Sequence, residues 1–277
     1  MRSFTQFHTA INATHRHLKE YGTDVPVARW QGVPTEGTFR EALFWSFTVP
    51  VGQRSSDTLN VLEDDELLDE LRRQIQPNLP WADDHFLERV GGKPLNPGEQ
   101  YKNWPFWTES DAATESAEIS LHDGFFSHTY MERFWPHIKD QDRGFKGIRY
   151  RAGDLNDVVD LLWEDPYTRQ AYVPIWFPED TGARHYHRVP CTIGYFFIMR
   201  NRKLHMRYHI RSCDLTRYLR DDIYMAVRLM LWMLDRLRTR ELSYDAEQLW
   251  VDVQPGEFHM DIDSLHIFGR DFATVSS

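Results

Sequence analysis

An α+β fold is the class this sequence predicts, and three observations carry it. Two β-rich runs, TIGYFFIMR (192–200) and LHMRYHIRS (204–212), are separated by a short NRK and read as a hairpin. A long run, LTRYLRDDIYMAVRLMLWMLDRLRTR (215–240), is apolar round most of its circumference and reads as a largely buried helix. Helix and strand signals are mixed without regular βαβ alternation, so a mixed sheet flanked by helices in one domain, residues 1–277, is expected.

The other elements follow from period and punctuation. DDELLDELRRQI (64–75) has the leucine spacing and charges of an amphipathic helix. The stretch 77–105 is rich in proline and glycine and reads as irregular and aromatic-studded, with a short helix at DDHFLERV. GDLNDVVDLLWED (153–165) is a helix with acidic residues early and Pro166 beyond its end. QAYVPIWFP (170–178) reads as a buried strand. LWVDVQPGEFHMDIDSLHIF (249–268) reads as two strands around a Pro-Gly turn. Along the second strand of the hairpin Leu204, Met206, Tyr208 and Ile210 alternate with His205, Arg207, His209 and Arg211, so one face is apolar and the other basic or potentially basic.

Composition bounds the function. With 277 residues, 41% hydrophobic and 27% charged, the chain is long enough to bury a sizeable core and has a globular make-up. A net charge of −10 argues against a nucleic-acid polymer as partner, since phosphate contacts need lysine and arginine in excess. No export signal is visible, nothing approaches a membrane span, and two cysteines make a disulfide framework improbable, so a reduced cytoplasmic protein is expected. HRH (15–17) and RHYHR (184–188) lack the sets of a structural zinc site, no glycine-rich phosphate loop is present, and no metal is expected.

The chemistry gathers around Cys191, which leads the first hairpin strand in RVPCTIGYFF (188–197). The partner strand ends in RSCD, which brings Arg211, Ser212 and Asp214 near it. A cation beside a thiol lowers its pKa, and an arginine fork with a serine hydroxyl suits a phosphate. Against this stand the commoner structural roles, a small buried hydrophobe for cysteine and a solvated face for the basic alternation. Asp222 lies within the apolar helix pattern, either at its solvent boundary or facing a polar pocket.

The order of DPYTRQAYVPIWFPED, RVPCTIGYFF, MRYHIRSCDLTRYLRDDIYMAVRLMLWML and DSLHIFGRD resembles the thymidylate synthase family from near Gly147 onward, and residues 1–146 match it only loosely, as a divergent folate and lid half. The resemblance implies a homodimer formed through the sheet, with Cys191 as the nucleophile that adds to pyrimidine C6. It implies Arg211 and Ser212 on the 5′-phosphate, Arg169 reaching the neighbouring subunit's phosphate, and Arg29 as an N-terminal phosphate arginine. Asp214 and His266 fall in the nucleotide-binding motifs. It implies 5,10-methylenetetrahydrofolate as co-substrate, with Trp81, Trp104 and Trp107 as candidates to stack on its pterin, and Glu88 as general acid or base, rivalled by Asp83, Asp84 and His85.

Three departures redirect the reading. Where uracil-reading members place asparagine, this chain has Asp222, which can accept from the cytosine amine, as in the related deoxycytidylate hydroxymethylases. The chain ends soon after Phe268 in GRDFATVSS, so a closing tail is short and water capture of the exocyclic methylene is favoured over hydride. Phe268 replaces the tyrosine of the late H-x-Y, an altered sugar environment that resembles the CMP hydroxymethylases of nucleoside-antibiotic pathways such as mildiomycin biosynthesis. His209, Ile210 and Gln170 also depart from the family pattern around the phosphate. The expected activity is a cytidylate 5-hydroxymethylase, CMP favoured over dCMP. Alternatives are a dCMP hydroxymethylase, a thymidylate-synthase-like methylase, an inactive nucleotide-binding scaffold and a cysteine hydrolase.

Overall fold

The computed structural model describes residues 2–27, 29–30, 33–34, 37–52, 65–106, 121–122, 124–135, 154–178, 180–181, 189–244 and 249–272. The chain opens with β1 (Arg2–Ser3), α1 (Phe7–Tyr21), β2 (Thr23–Pro26), a small pair β3 (Arg29–Trp30) and β4 (Val33–Pro34), and the long β5 (Thr38–Pro50). Next come α2 (Asp65–Ile75), α3 (Trp81–Val90), a 3-10 turn at Gln100–Asn103, and a second small pair, β6 (Leu121–His122) and β7 (Phe125–Phe126). Then follow α4 (Tyr130–Phe134), α5 (Leu155–Glu164), β8 (Tyr172–Pro174), β9 (Thr192–Arg200), β10 (Lys203–Asp214), α6 (Leu219–Tyr244) and β11 (Gln254–Phe268).

The main sheet runs β1-β5-β11-β10-β9-β8, with β2 also paired to β5. β9 and β10 form the expected hairpin, turning through Asn201 and Arg202, both at positive φ (53° and 55°), as a two-residue turn between twisted strands requires. β10 and β11 are parallel, a pairing that needs a long crossover, and α6 supplies it. Parallel and antiparallel ladders together make the sheet mixed, as the α+β class anticipates. The helices over 65–75, 81–90 and 155–164 occupy the predicted places, the last started by an Asp154 capping box with Asp157.

Two expectations need correction. The segment 249–268 is not two strands around Pro255-Gly256: β11 is one 15-residue strand that begins at Gln254 and passes through both. Proline is tolerated there because it stands one residue from the strand's start, beside a register irregularity between Leu204 and Met206 of β10. Gly256 lets the backbones close, since a Cβ would lie 2.7 Å from the Leu204 carbonyl oxygen. The strand expected over 170–178 is only the three residues of β8, because Ile175 and Trp176 both donate their N–H to the Ile193 carbonyl and so leave the ladder.

The sheet has one covered and one open face. Leu204, Met206, Tyr208 and Ile210 of β10, with Phe258, Met260 and Ile262 of β11 and Phe47 and Val49 of β5, are buried beneath α1 and α6. The opposite face carries charge in pairs across the parallel ladder: Arg207 Nε donates to Asp261 at 2.5 Å and His209 Nε2 lies 3.0 Å from Asp263. The basic stripe read along β10 is therefore matched by an acidic one on β11.

The start of α6 is set by Asp214. This buried carboxylate accepts from the backbone N–H of Thr216 and Arg217 (2.9 and 3.0 Å) and from Arg217 Nη1 (3.1 Å), which turns the chain out of β10 so that the helix begins at Leu219 rather than at Leu215. Within the helix, consecutive residues point about 100° apart. Asp221 therefore faces the α2–α3 connection, accepting from Asn78 N and Nδ2 at 2.8 and 2.7 Å, while Asp222 faces elsewhere.

Asp83 fastens α3 to α2 and α6. It accepts from Arg72 Nη2 at 3.0 Å, from Tyr224 Oη at 2.8 Å and from Arg228 Nη1, and Arg228 is buried against the Phe86 ring. Removing the carboxylate strands a buried guanidinium. Asp83→Ala is expected to lose about 3 kcal/mol in urea unfolding, and a loss under about 1 kcal/mol would contradict this reading of the junction.

Candidate active site

Two helix faces meet across a cavity. Trp81, His85 and Arg89 stand at i, i+4 and i+8 on α3, and Tyr218, Asp222 and Met225 stand at similar spacing at the head of α6; all six line it. Trp104, Tyr101 and the segment from Phe126 to Met131, which runs into α4, complete the wall. The walls are largely aromatic. Trp81 stacks on His85 (centroids 5.0 Å) and donates Nε1–H to the Gln100 carbonyl at 2.8 Å, while Trp104 stacks on Tyr218 (5.0 Å).

Asp222 keeps partial exposure, and the cavity is what it faces. Burial pushes its carboxyl up to about 7, opposed by the Arg89 guanidinium and reinforced by Asp221 and Asp214. Arg89 is itself buried, lies over the Tyr130 ring at 4.1 Å, and among the described residues leaves Nε without a hydrogen-bond partner.

Cys213 is buried, which pushes its thiol pKa well up, whereas Cys191 is exposed at the mouth of β9, and neither is in a disulfide. The geometry of Cys191 depends on Arg211, which holds the approach to it by donating Nε to the Pro190 carbonyl (2.8 Å) and Nη2 to that of Val189 (3.2 Å). The Arg211 backbone N–H reaches the Cys191 carbonyl at 2.8 Å. Cys191 is not among the cavity's lining residues, but the next residue, Thr192, ties it there: Tyr130 Oη and Tyr208 Oη lie 2.8 and 3.0 Å from Thr192 Oγ1. Tyr130 and Cys213 each feel the charges of both Asp222 and Cys191, which brings the thiol and the carboxyl into one neighbourhood.

The remaining expected residues divide. Ser212 is half-buried beside Arg211 on β10, and Asp214 is spent on the turn into α6. His266 pairs with Asp214 across the ladder, packs edge-on to Phe39 at 5.0 Å, and has its pKa lowered by burial. Phe268 packs on Phe39 (4.5 Å) and under the Arg217 guanidinium (4.6 Å). Arg169 is exposed between α5 and β8 and is not among the cavity's lining residues. Arg29 is placed in β3 by its backbone, with its side chain outside the described residues, as is Trp107.

Glu88 does not line the cavity. It accepts from the backbone N–H of Glu99 (2.5 Å) and Gln100 (3.4 Å), capping the 3-10 turn, and lies 3.5 Å from His85 Nδ1. Asp83 is committed to the helix junction and Asp84 is exposed, so of the four acid-base candidates on α3 only His85 reaches the cavity wall. Arg89, Tyr130, Tyr218 and Thr192 were not singled out from sequence. The i, i+4, i+8 spacing of Trp81, His85 and Arg89 is the signal that carries Arg89; nothing local marks Tyr130.

The raised Asp222 pKa has a sign that can be measured. An acid whose folded pKa (about 7) exceeds its ordinary 3.8 binds protons more tightly when folded, so its contribution costs stability as pH rises through that window. Asp222→Asn should stabilise the chain more at pH 8 than at pH 4 in urea unfolding, and an equal effect at both would contradict the buried placement.

Known proteins supply the remaining comparison. The family model described as thymidylate synthase matches residues 98–277, reaching further upstream than the four sequence motifs. Among solved structures, the thermostable thymidylate synthase A from Bacillus subtilis superposes with a TM-score of 0.60 at 14% identity, covering 98% of this chain and 83% of that one. No curated protein matches in sequence. Among the described residues no helix is long and apolar enough to cross a membrane, and no group of three or more His, Cys, Asp or Glu is placed to hold a metal ion. With a mixed sheet flanked by helices and a family match over well more than half its length, the chain belongs to the thymidylate synthase family.

Proposed function

We propose that the chain, read as a single catalytic domain, is a cytidylate 5-hydroxymethylase that prefers CMP. The family transfers one carbon from methylenetetrahydrofolate to a small nucleotide, and the observation that turns this toward cytosine is the Asp222 carboxyl on the cavity wall. At its raised pKa of about 7 it exists in both forms near neutrality. Protonated, it donates to N3 and accepts from the exocyclic amine of cytosine; ionised, it repels O4 of uracil.

In this reading the Cys191 thiolate adds to C6 and makes C5 nucleophilic. C5 attacks the folate's one-carbon unit, the C5 proton is lost, and tetrahydrofolate departs to leave an exocyclic methylene. Water adds to that carbon and the sulfur leaves. Trp81 and Trp104 offer the pterin aromatic surface, though each already stacks one face within the protein, on His85 and Tyr218. Arg211 and Ser212 would hold the phosphate. For Arg211 that means donating beyond its two bonds to the 189–190 backbone. Exposed Arg169 would serve a second subunit's phosphate in a dimer formed on the open sheet face, where Arg207 and His209 alternate with Asp261 and Asp263 across the ladder. Phe268, packed on Phe39 without a hydroxyl to offer the sugar, supports a ribose-tolerant site.

Incubation with CMP, dCMP or dUMP and methylenetetrahydrofolate should give 5-hydroxymethyl-CMP fastest, with tetrahydrofolate as co-product. A methylated base with dihydrofolate would overturn the reading. Asp222→Asn should shift the cytosine-to-uracil ratio of kcat/KM toward uracil by about 10- to 100-fold, in line with roughly 1–3 kcal/mol for one base-edge contact, and an unchanged ratio would mean another group reads the base.

A further inference from the structure

Water does not add to an exocyclic methylene without losing a proton, and the groups discussed so far leave that proton without an acceptor. Asp222 is committed to the base edge, and Glu88 to the backbone of Glu99 and Gln100. Two imidazoles line the cavity, His85 on α3 and His128 ahead of α4; His128 Nδ1 lies 3.2 Å from Ser127 Oγ, and His85 is the one stacked on a wall tryptophan. Its Nδ1 is buried, 3.5 Å from the Glu88 carboxylate and in no hydrogen bond among the described residues, so Glu88 acts on it as a nearby charge and Nε2 is the nitrogen left for a ligand of the cavity.

The ring is fixed by a closed set of contacts. Glu88 caps the 3-10 turn, the Gln100 carbonyl of that turn holds Trp81 Nε1, and Trp81 stacks on His85 at an interplanar angle of 20°. Gly98, at φ 74°, allows the turn to close on the carboxylate, since a Cβ there would lie 2.9 Å from Glu88 Oε2. Arg89, one turn along α3, presents its charge to both His85 and Asp222.

Resting on the hydroxymethylase reading, we infer that His85 is the general base for water capture, oriented by Glu88 as a positioning residue on its far nitrogen. The water oxygen bonds to the exocyclic methylene carbon and its proton passes to Nε2. The methylene–C5 π pair becomes the C5–C6 double bond, and the C6–sulfur bond breaks to return Cys191 as thiolate. The proton then leaves to solvent. Burial, aided by the Arg89 charge and opposed by Glu88, lowers the His85 pKa to about 4, so the imidazole is neutral at physiological pH and holds the proton only transiently, taking it from a water made acidic as its oxygen bonds to carbon.

The test uses the full chain with [5-³H]CMP and methylenetetrahydrofolate. Tritium release reports chemistry up to the methylene, and hydroxymethyl product reports water capture. In His85→Gln, release should continue while hydroxymethyl product falls at least about 100-fold, the usual scale of a lost general base. An added thiol, which needs no base when ionised, should then trap the methylene as a thioether. In His85→Ala, added imidazole should restore product. Hydroxymethyl product from His85→Gln within about threefold of wild type would overturn the assignment while leaving the hydroxymethylase reading intact. Absence of tritium release from the wild type would overturn that reading, and this assignment with it.

Discussion

Asp222 loses most of its contact with bulk water because α6 enters the core beneath the sheet, and that desolvation shapes much of what surrounds it. A carboxyl raised to about 7 is an unusual group to keep on a largely buried helix. Arg89 offsets part of the cost from α3, and is itself held by the Tyr130 ring and by the packing of α3 on α6. The helix junction at Asp83 fixes the distance between the two helices, and the turn at Asp214 fixes where α6 begins and hence which way Asp222 points. Site electrostatics and fold stability thus depend on the same few charged contacts.

The thiol is placed by a different part of the chain. Arg211, on β10, grips the backbone at 189–190, and Thr192 anchors the start of β9 to Tyr130 and Tyr208. Cys191 is exposed while Cys213, on the neighbouring strand, is sealed. The two cysteines have opposite characters because Cys191 precedes its strand's ladder, whereas Cys213 is buried past the point where the alternation of β10 breaks, Arg211 and Ser212 both being half-buried and Cys213 and Asp214 both buried.

Much of this was legible in the sequence because period-two burial along β10 and the apolar girth of α6 are strong signals. The motifs around Cys191, Arg211 and Asp222 are local in sequence, so their neighbourhood could be anticipated from one hairpin and one helix. Other parts were not. The continuity of β11 through Pro255 and Gly256 depends on a register irregularity in β10 that no local pattern encodes. Glu88 and His85 lie three residues apart on one helix, and only the path of the 98–100 backbone decides which of them faces inward. Tyr130 comes from a short helix remote in sequence from the Thr192 and Arg89 it touches.

Covalent bonding of Cys191 to a cytosine ring read by Asp222 is visible in the intact mass of the protein after incubation with 5-fluoro-CMP and methylenetetrahydrofolate. Fluorine cannot leave C5 as a cation, so the reaction halts with nucleotide and folate both attached. The expected result is a mass increase equal to the two ligands, mapped to the Cys191 peptide and absent in Cys191→Ser. No covalent adduct, or one mapped to Cys213, would contradict it.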